Sequence, residues 1–94
     1  MASETDSGQS KPKLPRGVRL KHDEVRDQWI LLAPERIVKL DMIALEILRR
    51  CDGQTSIAAM VDELARNFSA DREQVSGDVH ELLQGLAAKG MLQL

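Results

Sequence analysis

The chain has one cysteine, Cys51, among its 94 residues. A single thiol cannot form an intrachain disulfide, and the count fits a reducing compartment. No apolar run approaches the roughly 20 residues of a membrane-spanning helix. The N-terminus lacks the apolar core of a signal peptide. These absences together lead to the expectation of a cytoplasmic protein. A basic excess is also missing: 13 Lys and Arg stand against 15 Asp and Glu, for a net charge of −2. Dedicated nucleic-acid binders usually carry a basic face, so the balance argues against that class. There is no glycine-rich phosphate loop. One cysteine and two distant histidines, His22 and His80, give no zinc-ligand spacing. Neither a metal nor a cofactor is expected.

What the chain does have is an ordinary globular composition, 43% hydrophobic and 30% charged. The length suits one small domain with a thin core and no deep active-site cavern. The opening segment "MASETDSGQSKPKLP" is polar and rich in Ser, Lys and Pro. It cannot bury enough apolar surface to offset its ordering entropy. Residues 1–13 are therefore expected to be a disordered tail or a linker, and residues 14–94 the folded domain.

From Arg16 onward the pattern changes. Val18 and Leu20 alternate with Arg19 and Lys21, the period of a half-buried strand. "HDEVRD" reads as a polar turn. "QWILL", residues 28–32, is a second strand built of strong strand formers. Pro34 of "APER" suits the second position of a type I turn. "RIVKL", residues 36–40, is the third strand. Short connections predict an antiparallel meander.

Three helices follow. Leu40, Ile43, Ala44, Ile47, Leu48 and Cys51 form one stripe, with Asp41 as N-cap and Gly53 just past the end. Ile57, Met60, Val61, Leu64, Ala65 and Phe68 form a second, opened by Thr55 or Ser56. Val75, Val79, Leu82, Leu83 and Leu86 form a third, ended by Gly90. "DREQ", residues 71–74, resembles a capping box with Asp71 in place of Ser or Thr. Gly77 and Gly85 each weaken that helix by about 1 kcal/mol relative to alanine; close approach of a helix or peptide, or a tolerated defect, explains them. "MLQL" reads as a short terminal strand. The expected fold is α+β: a small winged-helix-like domain, with a three-stranded antiparallel sheet followed by three helices.

No catalytic constellation emerges. Cys51 falls on an apolar stripe, where a thiol is structural rather than nucleophilic. Asp62–Glu63 and Asp78 with Glu81 read as solvated helix faces. Trp29 reads as core or edge packing. The last two helices could form a helix-turn-helix, which makes DNA binding a rival reading. The third helix, however, carries Asp71, Glu73, Asp78 and Glu81 against only Arg72 and Lys89. Phosphate contacts depend on cations that release counterions, so that helix suits a duplex poorly. The third strand offers two readings. Arg36 and Lys39 blunt an open edge, or the edge accepts an added peptide strand, with those cations favouring an acidic one.

Several short motifs carry a family resemblance in their order and spacing: "RGVRL", "LLAPE", "KLD", "EIL", "CDG" and "DVHELLQGL". The chain resembles the PqqD proteins of pyrroloquinoline quinone biosynthesis over residues 16–92. Ala33 replaces an aromatic before Pro34, and Asp41 replaces Asn. The resemblance implies a noncatalytic peptide chaperone that binds the precursor peptide PqqA. It presents that peptide to the radical S-adenosylmethionine enzyme PqqE, which joins a Glu and a Tyr side chain within it. The resemblance further implies strand addition at Arg36, Ile37, Val38, Lys39 and Leu40, with packing against the third helix; no motif fixes the positions there, and Val75, Val79 and Leu82 are the candidates, with a place in the core as their competing reading. A generic protein-interaction module is the other alternative. A monomer is expected, with pairing through the open edge as the route to a weak dimer. On this reading Val38→Pro is the substitution expected to block the edge.

Overall fold

The computed structural model describes residues 9–94. The expectation of a disordered tail lies, for residues 1–8, outside the described residues. Three strands are followed by three helices: β1 (Arg19–Asp23), β2 (Gln28–Ala33), β3 (Arg36–Leu40), α1 (Met42–Arg49), α2 (Ile57–Asn67) and α3 (Arg72–Ala88). The strands form an antiparallel meander in the order β1-β2-β3.

Each hairpin has a local cause. The first turn is shorter than the expected "HDEVRD" loop, because His22 and Asp23 continue β1 opposite Trp29 and Gln28. The His22 and Trp29 rings lie 5.1 Å apart, which holds that register. The Asp23 carboxylate accepts from the Val25 and Arg26 amides, and Asp27 takes the left-handed conformation at φ 51°. The second hairpin turns on two residues, Pro34 and Glu35, between the paired Ala33 and Arg36. Neither turn residue has positive φ, as a type I turn requires.

The register separates the two faces of the sheet. Leu20, Leu31 and Val38 align on the face toward the helices, and Leu31 is wholly buried. The helices bring Ile47, Leu48, Met60, Val61, Val79 and Leu83 into one core cluster with that residue. Among the described residues no polar side chain is buried. No helix there is long and apolar enough to cross a membrane.

Helix ends follow the sequence in part. Asp41 caps α1 through a 2.7 Å bond from the Ala44 amide, and Ser56 caps α2 through a 3.1 Å bond from Ala59. Asp71 makes no side-chain cap bond, so the expected capping box does not form. The first turn of α3 is held instead by the Arg72–Asp62 ion pair to α2. Gly90, at φ 75°, closes α3: its amide donates to Ala87 and the Met91 amide to Leu86. Ser69 occupies the equivalent left-handed position after α2, at φ 50°, although it carries a side chain. Among the described residues, Gly77 and Gly85 are not sites of close approach by another helix, since beyond the helix's own adjacent backbone no atom lies within 4 Å of where a Cβ would stand.

Gly53 is not the residue that ends α1. The helix closes at Arg50, and Gly53 (φ 79°) lies beyond, in a turn organised by the Asp52 carboxylate. The amides of Gln54 and Thr55 hold that carboxylate below the usual range. The Gly53 amide donates to Pro12, and a Cβ there would meet Lys13 at 3.3 Å. Residues 10–13, grouped by composition with the polar tail, are in fact hydrogen-bonded into the domain. Ser10 accepts from Ile57, Lys13 exchanges two 2.9 Å bonds with Gln93, and Pro12 is fully buried. The expected C-terminal strand is therefore a single bridge between Gln93 and Lys13.

Candidate functional site

β3 is an outer strand of the sheet, as its place in the meander requires. A two-residue turn makes its flanking pair, Ala33 and Arg36, a hydrogen-bonded pair. Bonded and unbonded pairs then alternate, so Val38 and Leu40 also face β2 with their backbone groups. The N–H and C=O groups that point out along the free edge are those of Ile37 and Lys39. Val38 is therefore the wrong position at which to block the edge: proline there would remove a bond inside the sheet. The side chains alternate likewise: Val38 and Leu40 pack on the core and Ile37 and Lys39 are exposed on the opposite face, while Arg36, which shares the parity of Val38, is exposed at the strand's start.

β3 runs into α1 with only Asp41 between them. Beyond Asp41 lies an open cleft of about 440 Å³. Ile43, Ala44 and Ile47 of α1 form one wall, and Asp78, Glu81 and Leu82 of α3 the other. A smaller apolar pocket of about 100 Å³ adjoins it, lined by Ile43, Ile47, Phe68, Val75 and Val79 among others. Ile43 and Phe68 remain 43% and 41% exposed. The edge thus leads toward an apolar cleft with acids on its rim.

The residues named from the sequence divide accordingly. Arg36–Leu40 lie together on one strand. Leu82 lines the larger cleft and Val75 the smaller, each half-buried against the core. Val79 is fully buried, and its side chain belongs to the core. Ile43 and Phe68, read as core from their stripes, are the cleft residues that sequence reasoning missed. The adjacent apolar pair Met42–Ile43 was the available signal, because consecutive helix positions cannot both face one core. Leu45, absent from the predicted stripe, is buried instead.

The remaining candidates are structural. Trp29 is half-buried at the end of the sheet nearest α1, with the Arg49 guanidinium 5.4 Å above its ring. Arg50 clamps α1 to α2 through Glu46 and Glu63. Burial opposes its charge, but the two carboxylates outweigh this and raise its pKa. Cys51 is buried, and its thiol donates to the Ile47 carbonyl at 3.4 Å. Desolvation, aided by the Asp52 charge, pushes the thiol up to about 12. A thiol whose folded value is raised stabilises the fold below its unfolded value, near 9, and that contribution fades as pH rises toward about 12. Cys51→Ala is accordingly expected to flatten the loss of stability across that window; urea melts at pH 8, 9 and 10 check this, and parallel curves for both proteins would refute it. Among the described residues, no group of three or more His, Cys, Asp or Glu is placed to hold a metal.

Comparison with known proteins places this geometry. Residues 28–92 match the family model for coenzyme PQQ synthesis protein D, PqqD. The "PqqA binding protein" of Rhodopseudomonas palustris (strain HaA2) is 51% identical over 86 residues, covering 92% of this chain and 84% of that one. The protein of the same name from Xanthomonas euvesicatoria pv. vesicatoria (strain 85-10) is 53% identical over 85 residues, covering 90% and 92%. The solution structure of the PqqD truncation of Methylobacterium extorquens PqqCD, a functional stand-alone recognition element for ribosomally synthesised and modified peptides, aligns with a TM-score of 0.77. It is 37% identical, with full coverage of both chains. The crystal structure of PqqD from Xanthomonas campestris aligns at 0.61 with 51% identity, over 86% of this chain and 90% of that one. Sheet, helices and sequence agree in one assignment: the chain belongs to the PqqD family.

Proposed function

We propose that this protein is a noncatalytic peptide chaperone of pyrroloquinoline quinone biosynthesis. It binds the PqqA precursor as a strand added to β3 and presents it to the radical S-adenosylmethionine enzyme PqqE. The observation that carries the reading is the open β3 edge, whose outward backbone groups at Ile37 and Lys39 lead toward the apolar cleft between α1 and α3. The names of its relatives, "PqqA binding protein", support the choice of peptide. Backbone bonds along β3 supply affinity, and Val75, Leu82, Ile43 and Phe68 offer apolar contacts that sort peptides by side chain. Arg36 and Lys39 favour acidic residues beside the strand, whereas Asp41, Asp78 and Glu81 favour a basic one at the cleft. No acid, base or nucleophile is called on. The protein contributes by ordering a flexible substrate before it meets the enzyme, which lowers the entropy cost of aligning the reacting groups.

An amide NMR titration with PqqA tests this reading, with a DNA duplex in parallel. Saturable shifts are expected at Ile37, Lys39, Val75 and Leu82, with slowed exchange of the Ile37 and Lys39 amides and no response to DNA. A folded protein that ignores the peptide would remove the chaperone reading.

A further inference from the structure

The three described helices all contribute to the core on one side of the sheet, and among the described residues no helix adds a side chain to the other. The register sets out that outer face in the rows Arg19–Leu32–Ile37 and Lys21–Ile30–Lys39, with the pair Asp23–Gln28 at the hairpin end. Ile30 lies between two directly opposed lysines, whose aliphatic stems can lie along it, and is only 7% exposed. Ile37 is 65% exposed, and Val25 at the hairpin tip is 94% exposed. Together with Leu32 they line an open depression of about 500 Å³. Arg19, Lys21 and Lys39 form no ion pair with any described residue. The acids of this depression, Asp23 and Glu24, are confined to its hairpin end, and Asp23 is engaged by two backbone amides. The face is an apolar strip between unneutralised cations.

Two arguments select what covers it. One is continuity with the β3 edge. A strand added there extends the sheet, and every second side chain of that strand projects level with Ile37 and Lys39. The helices stand on the inner side, where the cleft between α1 and α3 receives the peptide's inward side chains. With that cleft taken by the peptide, the outer face is where a partner can touch both this protein and the added peptide. The other argument is charge: cations around an apolar strip complement a surface whose rim is acidic.

We propose that the outer sheet face is the docking surface for the peptide-modifying enzyme, meeting an apolar patch on that enzyme rimmed by Asp and Glu. The inference rests on the strand-addition reading above, because the added strand completes the surface.

Two variants away from the β3 edge test it: the double substitution R19E/K21E on β1, and Val25→Glu at the hairpin tip. Affinity for labelled PqqA and affinity for PqqE in the presence of PqqA are measured separately, with circular dichroism as the folding check. Both variants are expected to keep parental peptide affinity and to lose about tenfold or more in enzyme affinity, with parental enzyme binding weakening as salt rises. Parental enzyme affinity in both folded variants would overturn the proposal while leaving peptide capture intact. Failure of the parent protein to bind PqqA would instead bring down the strand-addition reading and this surface with it. Charge-dependent sedimentation with anionic phosphatidylglycerol vesicles, or a parental dimer that the variants abolish, would give the face to lipid or to a second copy, and either result also overturns the proposal.

Discussion

Lys39→Pro is expected to cut affinity for the precursor peptide on the order of 100-fold while the protein still folds. The Lys39 amide points away from β2, so the fold does not use it. Proline is tolerated on an edge strand where its missing N–H would have faced solvent. An incoming strand would lose that donor and meet the pyrrolidine ring at the same place. The lost hydrogen bond accounts for about 0.5–1.5 kcal/mol, and displacement of the strand for the remainder; each 1.4 kcal/mol is about tenfold in affinity. Lys39→Ala is the control. It removes the charge and keeps the amide, so its effect isolates the electrostatic share. Anisotropy of labelled PqqA reads both. Near-parental affinity for Lys39→Pro, with unchanged circular dichroism, would mean that the peptide does not add to β3.

Leu31→Ala is expected to cost about 3–4 kcal/mol of stability, within the range for large-to-small changes in a tight core. The whole protein has only roughly 5–14 kcal/mol at about 0.05–0.15 kcal/mol per residue. The position matters for a specific reason. Leu31 is on the central strand, fully buried, and aligned between Leu20 and Val38. Ile47, Met60 and Val79 belong to the same cluster, so Leu31 is where the sheet meets the helices. The neighbouring Ile30 faces the other way, between lysines, and should be far more tolerant. Urea denaturation with a fitted slope measures the loss. A cost under about 1 kcal/mol would show that the sheet is anchored elsewhere, most directly through Leu20 and Val38. Because β3 is carried by β2, Leu31→Ala should also weaken peptide binding to the extent that it depopulates the folded state.

The strand order, the β3 edge and the three helices were legible because each depends on contacts close in sequence. Period two, turn residues between short strands, and apolar stripes at three- and four-residue steps all act within one element or across one hairpin. The caps at Asp41 and Ser56 are equally local. Even the direction of the β3 amides follows from the two-residue turn at Pro34–Glu35, once the pairing is known.

Other features needed the assembled chain. An eight-residue helix such as α1 offers apolar groups over more than one arc, and packing against the sheet and α2 chose Leu45 over Ile43 for the core. That choice left Ile43 free to line the cleft with Leu82, and Val79 was drawn inward at the same time. Residues 10–13 read as tail because their composition is polar, yet their backbone groups complete pairs with Gly53, Ile57 and Gln93, more than 40 residues away in sequence. The elements, their order and the outer position of β3 therefore follow from the chain's local patterns. Which apolar residues became core and which line the cleft was settled by long-range packing, because it depends on how whole elements rotate to share one small buried volume.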